Sequence, residues 1–340
     1  MGDVLSSDGQ ATTGGVLRLL GAGASGPILM ALGREPLRTM ELTERVAGYS
    51  PRTVYRYATR LTQLGLIDRH EEEGVPSKVV HSLSERGREL YDLVAVYAAV
   101  GMKRLRGGEI GGAEWAGLAL VGELWELGMI DQLNRGPKSL TELSDGEHGL
   151  SFHQVSRRAG LFARSGFIRE IPGAGRYRRY ALTDKTRMAM GLIAGIGRWR
   201  RRHVVPSGSP GLSVGEAAGL MRTALPLVFL PGHAGKSFEL GIASPQEADG
   251  SAEPVWGGVV ADGSVVNHPA PPENVDGAAH GNVPAWVDSV LDGPRNGLRV
   301  KGDAELIADC LGALHASLWR NGNGSAAAAA EAVAGRSDGA

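Results

Sequence analysis

The chain has 340 residues, 42% of them hydrophobic and 21% charged, enough apolar material for two or three ordinary cores, which excludes wholesale disorder. Its formal net charge of −1 hides a division: residues 1–210 hold 29 Lys and Arg against 22 Asp and Glu, and residues 211–340 hold 7 against 15. A basic two-thirds joined to an acidic third implies separate tasks, with a polyanion as the natural partner of the basic part. Cys310 is the only cysteine, which excludes an intrachain disulfide and a multi-thiolate zinc site and suits a reducing cytoplasm. No apolar stretch approaches the ~18–20 residues of a membrane helix. Met1–Gly15 lacks the basic and hydrophobic regions of a signal peptide.

Residues 1–14 read as a disordered tail. Gly21-Ala22-Gly23-Ala24-Ser25-Gly26 fits the dinucleotide-binding pattern G-x-G-x-x-G, but no hydrophobic strand precedes it and Pro27 follows at once. A glycine-weakened start to a helix is the better reading. That helix, about Ser25–Leu32, precedes a short one starting near Thr39. Ser50-Pro51 opens a third, with Ser50 as cap, Pro51 where its missing N–H costs nothing, and a core face of Val54, Leu61 and Leu64. Gly65 stops it. Two short strands, Leu66–Arg69 and Val79–Leu83, form a hairpin before a closing helix after Ser84.

The same grammar recurs. Arg34–Arg69 aligns with Arg135–Glu170 at an offset of 101 without a gap. Pro36 falls on Pro137, Glu41-Leu42 on Glu142-Leu143, Ser50 on Ser151, Val54 on Val155, Leu61 on Phe162, and Gly65-Leu66-Ile67 on Gly166-Phe167-Ile168. Two residues are then lost, and Leu83-Ser84 meets Leu182-Thr183, while upstream Leu20-Gly21 meets Val121-Gly122. The second copy is expected to run through a helix at about Trp115–Leu133, a helix from Ser139, a helix from Ser151-Phe152, strands Phe167–Ile171 and Tyr177–Leu182, and a helix after Thr183. Three helices, a two-stranded wing and a further helix make a winged helix-turn-helix.

Pro36-Leu37-Arg38-Thr39-Met40-Glu41-Leu42, Ser50-Pro51-Arg52-Thr53-Val54, Leu64-Gly65-Leu66-Ile67 and His81-Ser82-Leu83-Ser84-Glu85-Arg86-Gly87 resemble bacterial HxlR/MarR-type winged-helix regulators. Pro137-Lys138-Ser139-Leu140-Thr141-Glu142-Leu143 and Tyr180-Ala181-Leu182-Thr183 are similar variants of the same blocks, so that the resemblance covers roughly residues 16–203. Such regulators usually carry one module per chain and act as homodimers; with two modules, the chain is expected to be a monomer with an internal pseudo-dimer or a homodimer.

In this architecture the third helix enters the major groove and the wing meets backbone or minor groove. The expected DNA-binding residues of the first copy are Ser50, Arg52, Thr53, Arg56 and Arg60 on the helix and Lys78 on the wing. Those of the second are Ser151, His153, Gln154, Arg157, Arg158 and Arg164, with Arg176, Arg178 and Arg179 on the wing. Arg can read guanine and Gln adenine with paired hydrogen bonds. Residues 151–202 hold thirteen Lys and Arg against two acids, whereas the first wing carries Glu71-Glu72-Glu73, so the second copy should supply most of the affinity. The run Arg198-Trp199-Arg200-Arg201-Arg202 fits phosphate contact and helix-end stabilisation equally well.

Pro206–Pro210 reads as a linker. A helix at about Val214–Ala224 follows, then strands at Ser237–Ala243, Val255–Val260 and Ser264–Asn267, a loop at Pro269–Pro284, a helix at about Ala285–Leu291, a strand at Leu298–Lys301 and a helix at Ala304–Trp319. This layout, through Pro284–Asp288 and Gly297–Asp303, resembles the sterol-carrier-protein-like domain appended to some actinobacterial winged-helix regulators. That resemblance implies an apolar cavity for a small apolar effector. Met221, Phe229, Phe238, Trp256 and Trp286 read more simply as core. His233, His268 and His280 fall in separate loops without metal-ligand spacing, Cys310 reads as a buried thiol, and no nucleophile elbow or phosphate loop is present, so neither catalysis nor a cofactor is expected.

The expected architecture is α+β: a tail over 1–14, winged helix-turn-helix modules, mainly α with short β wings, over 15–106 and 113–205, a linker over 206–210, a small α/β sandwich domain over 211–320, and a disordered tail over 321–340. The function it implies is a cytoplasmic, sequence-specific transcriptional regulator of double-stranded DNA. A winged-helix scaffold for protein interaction and a small-molecule or lipid carrier are the alternatives.

Overall fold

Thr12 caps the first described helix, α1 (Thr13–Gly21), its hydroxyl accepting from the Gly15 amide at 2.9 Å. Thr13 and Gly14, expected to end a disordered tail, are therefore helical and buried. The computed structural model describes residues 12–72, 78–102, 112–146, 149–172, 178–244, 252–293 and 297–319. The remainder of the expected N-terminal tail and the whole of the expected C-terminal one lie outside them. Two compact units result, Met1–Glu126 with Trp199–Ser209, and Leu127–Arg198 with Pro210–Ala340.

In the first unit, the dinucleotide-like glycines form the corner between α1 and α2 (Ser25–Arg34). Gly23 sits at φ +52°, and a Cβ there would lie 2.5 Å from the Tyr57 hydroxyl, so the glycine serves a tight helix corner rather than a phosphate. There follow β1 (Leu37–Arg38), α3 (Thr39–Arg45), α4 (Pro51–Gln63), β2 (Ile67–Glu72), β3 (Lys78–Leu83) and α5 (Glu85–Met102). The sheet order is β1-β3-β2, with Leu37 opposite His81 and Ile67 opposite Leu83. Val54, Ala58 and Leu61 of α4 are buried, one every turn, and Gly65 at φ +65° ends the helix. Helix α6 (Gly112–Glu126) packs on α1.

The helix expected over 115–133 is broken. Gly128 at φ +63° separates α6 from α7 (Met129–Asn134), which opens the second unit. Next come β4 (Lys138–Ser139), α8 (Leu140–Ser144), α9 (Phe152–Arg164), β5 (Ile168–Pro172) and β6 (Arg178–Leu182). The expected closing helix after Thr183 is also divided, into α10 (Asp184–Met188) and α11 (Met190–His203).

The β4-β6-β5 sheet has the strand order of the first sheet, with Lys138 opposite Tyr180 and Ile168 opposite Leu182. Each pair lies at the offset, 101 before the lost residues and 99 after, that aligns the sequences. Smaller details match too. The Ser84 hydroxyl donates to the Gly65 carbonyl at 2.7 Å and the Thr183 hydroxyl to the Gly166 carbonyl at 2.7 Å. Glu41 and Glu142 each accept from the amide three residues earlier, Arg38 and Ser139, at 2.7 Å.

The rest of the second unit begins with α12 (Val214–Ala224), capped by Ser213. Its sheet runs β11-β10-β7-β8-β9, from β7 (Ser237–Ala243), β8 (Ala252–Val259), β9 (Val265–His268), β10 (Gly277–Asn282) and β11 (Arg299–Gly302). Helices α13 (Val283–Asp292) and α14 (Ala304–Trp319) complete it. Strand β10 lies inside the expected loop 269–284. Gly277-Ala278-Ala279 has little β propensity, but the position demands small residues: a Cβ on Gly277 would lie 2.9 Å from the Asp303 carbonyl and 3.2 Å from Ile307. Parallel pairing with β7 holds the strand in place. Met221, Phe238 and Trp286 are buried as expected of core residues, whereas Trp256 is half-buried and Phe229 exposed. Helix α12 is tied to α7 by Asn134 Nδ2 donating to Thr223 Oγ1 at 2.6 Å and by an Arg222–Asp131 pair at 3.5 Å. Among the described residues no single helix is long and apolar enough to cross a membrane.

Candidate nucleic-acid interface

Burial of Val54, Ala58 and Leu61 turns the other side of α4 to solvent. Arg52 and Arg56 are exposed there, Thr53 and Arg60 half-buried, and Ser50 stands exposed at the cap. The sequence reading missed Tyr55, 62% exposed on the same side. An aromatic on the polar side of an amphipathic helix was the available signal. Arg56 lies over the Tyr57 ring at 5.2 Å, a cation–π contact that restrains the guanidinium. Ser50 and Thr53 are engaged with each other: the Ser50 hydroxyl accepts from the Thr53 amide at 3.2 Å and lies 2.9 Å from the Thr53 hydroxyl. Lys78 opens β3, and its side chain lies outside the described residues. On the wing, Arg69 pairs with Glu71 at 3.0 Å.

Helix α9 buries Val155, Ala159 and Phe162 and exposes His153, Gln154, Arg157 and Arg164, with Arg158 half-buried. Phe152, at the first helical position, is 53% exposed and was not foreseen as part of this surface. Gln154 closes a capping box, its Oε1 accepting from the Ser151 amide at 2.9 Å. A paired hydrogen bond from Gln154 to adenine would compete with that cap. On the wing Arg176 lies outside the described residues. Arg178 pairs with Glu170 at 2.8 Å while its side chain stays 74% exposed. Arg179 turns back to Glu142, its Nη2 3.3 Å from both carboxylate oxygens. The hydrogen bonds from Ser139, with Arg179 and Lys138 adding attraction, hold the Glu142 carboxyl below its ordinary value.

The basic run at the end of α11 is largely spent internally. In the second unit Arg198 pairs with Asp292 at 2.8 Å and Asp288 at 3.9 Å. In the first, Arg200 is buried against Thr13 Oγ1 at 3.0 Å, and Arg202 and His203 both reach Glu89, at 3.3 and 3.1 Å. Trp199 donates to the Arg86 carbonyl at 2.8 Å.

His268 and His280 lie on strands β9 and β10 rather than in loops, and His233 is buried with Nε2 2.8 Å from Asp309. Among the described residues no group of three or more His, Cys, Asp or Glu is placed to hold a metal ion. Burial pushes the Cys310 thiol up to about 12, which keeps it protonated at neutral pH.

The cationic face of α4 lies on a helix-turn-helix whose family is recognisable. The HxlR-like helix-turn-helix family model matches residues 19–107, so the first block is a domain of that kind. The chain is also similar to the reduced form of the transcriptional regulator YodB from B. subtilis, with 26% identity, 28% of this chain and 92% of that one covered, and a TM-score of 0.25. It is similar to a MarR-family protein from Porphyromonas gingivalis, with 23% identity, 26% and 88% covered, and a TM-score of 0.25. No curated protein matches it.

Proposed function

We propose that this protein is a DNA-binding transcriptional regulator that reads duplex DNA through two non-identical winged helices, one built on α4 and the other on α9. The observation that carries the reading is the HxlR-like domain over 19–107 together with the exposed Arg52, Tyr55 and Arg56 beside its Ser50 cap. The second winged helix is supported by the shared strand order, register and cap bonds of the β4-β6-β5 block. At the offset of 101, Arg52, Thr53 and Arg56 correspond to His153, Gln154 and Arg157, and the first two differ in type, so the two half-sites differ in sequence.

The sheet domain after residue 210, sterol-carrier-like in its order of elements, is the regulatory part in this reading. A small apolar effector that favours one position of α12 would bias α7, to which Asn134, Thr223, Asp131 and Arg222 tie it, and through α7 the segment that leads to α8 and α9. Selection of bound fragments from a genomic library identifies the operator. On that operator, Arg52→Ala and Arg157→Ala each lower affinity about tenfold, the lower part of the ~1–3 kcal/mol of a paired base contact. No binding at low salt, or affinity unchanged in both variants, refutes the regulator reading.

A further inference from the structure

The repeat offset of 101 carries α1 onto residues 114–122, which lie within α6, and these two helices pack on each other. Their contacts exchange under the same offset. Gly14 meets Gly122: a Cβ on Gly14 would lie 2.7 Å from the Gly122 carbonyl oxygen, and one on Gly122 would lie 2.6 Å from the Gly14 carbonyl oxygen. The offset turns Gly14 into Trp115 and Gly122 back into Gly21, and a Cβ on Gly21 would indeed lie 2.5 Å from the Trp115 carbonyl oxygen. Arg18 borders Gly122, with Cγ 3.4 Å from such a Cβ; its counterpart Ala119 borders Gly21 at 2.6 Å. Contacts in which i meets j and the equivalent of j meets the equivalent of i are the signature of a two-fold, self-complementary interface. Here both halves belong to one chain.

The departures from symmetry show which pairing is favoured. Glu126 accepts from the Thr12 hydroxyl at 2.5 Å and pairs with Arg18 at 2.9 Å. The counterpart of Glu126 in the first copy is Ser25, and that of Arg18 in the second is Ala119. Two α1 helices from different chains would leave Arg18 without a carboxylate, because α1 ends at Gly21 and Ser25, the counterpart of Glu126, opens α2, and two α6 helices would set Ala119 against Glu126. Only α1 against α6 brings unlike charges together, which disfavours the like pairings. Trp115 adds to this, because its ring occupies the space a side chain at Gly26 would need.

We propose that the α1–α6 crossing is a built-in two-fold interface, so that a single chain is the complete two-headed unit and meets its operator as one chain. The stoichiometry on DNA rests on the regulator reading above; the interface does not. Light scattering on the full chain without DNA is expected to give one chain of 35.6 kDa over the micromolar range. With operator duplex the complex is expected to hold one chain. Twice that mass in free solution, or two chains per duplex, overturns the proposal. If the chain is of single mass but binds no DNA, the regulator reading fails and the internal interface stands. Glu126→Arg reverses the Arg18 pair and is expected to raise the fraction of two-chain species at least tenfold; adding Arg18→Glu restores the single-chain mass. A double variant that remains as dimeric as Glu126→Arg, while both melt cooperatively, also overturns it. Should Glu126→Arg fail to fold, the mass of the unaltered chain decides the matter.

Discussion

His81 is buried on the central wing strand of the HxlR-like domain, with its Nε2 3.1 Å from the Thr39 hydroxyl. Burial, with Arg69 contributing second, holds its pKa below the ordinary 6.5. The folded form therefore binds the proton less readily than the unfolded chain does. Its contribution to stability is complete above 6.5 and is lost as pH falls from there through the lowered folded value. Melting followed from about pH 7.5 to about pH 5.5 is expected to show a falling midpoint, and His81→Gln to remove much of that slope while starting from a lower midpoint. Neither Glu142 nor Glu89 enters this window, since both are carboxyls held below their ordinary values. At Glu89, burial alone would raise the pKa, but the hydrogen bond from His203 and the charge of Arg202 outweigh it.

At the scale of the element, α4 and α9 are both specified by a Ser cap, a buried residue at each turn and a glycine stop, all local features. Their caps nevertheless differ in what they would leave for DNA in the reading proposed above. Ser151 and Gln154 support each other in a reciprocal pair. Ser151→Ala is expected to cost about 1 kcal/mol of stability, read as a lower melting temperature. Gln154→Glu keeps a capping residue of the preferred kind and leaves the melting temperature nearly unchanged, but it sets a carboxylate at the groove-facing turn and lowers DNA affinity about tenfold or more. A loss of stability in Gln154→Glu equal to that of Ser151→Ala would mean that the carboxylate does not replace the amide in the cap. Elements with weaker local signals were harder to read. The helix expected over 115–133 runs through Gly128, and only the left-handed φ there shows where the chain turns out of α6. Strand β10 reads as loop because its glycines and alanines suit a crowded sheet position, not a strand in isolation.

Across the whole molecule, charge is less available to DNA than its distribution along the chain implies. Residues 151–202 hold thirteen basic side chains, yet Arg198, Arg200 and Arg202 are spent on Asp292, Thr13 and Glu89, and Arg179 on Glu142. Arg157 and Arg164 on α9 are exposed. Arg164→Ala is expected to lower the slope of log affinity against log salt by about 1, the release of one phosphate contact. Arg198→Ala is expected to leave that slope unchanged and to lower the melting temperature, because it abandons Asp288 and Asp292. A changed salt slope in Arg198→Ala would assign that arginine to DNA after all.

The sequence by itself determined the features that depend on near neighbours: the Ser50 and Ser151 caps, the buried faces of α4 and α9, the glycine stops and the offset of 101 that brings Gly21 onto Gly122. A cap or a helical face is set within one or two turns of chain, so residue type and spacing suffice. Only the tertiary structure decided that α1 packs on α6, that β10 completes a sheet between β11 and β7, and which arginines are committed to carboxylates. Those outcomes join residues far apart in the chain, where the free energy lies in packing and charge pairing that local pattern does not encode.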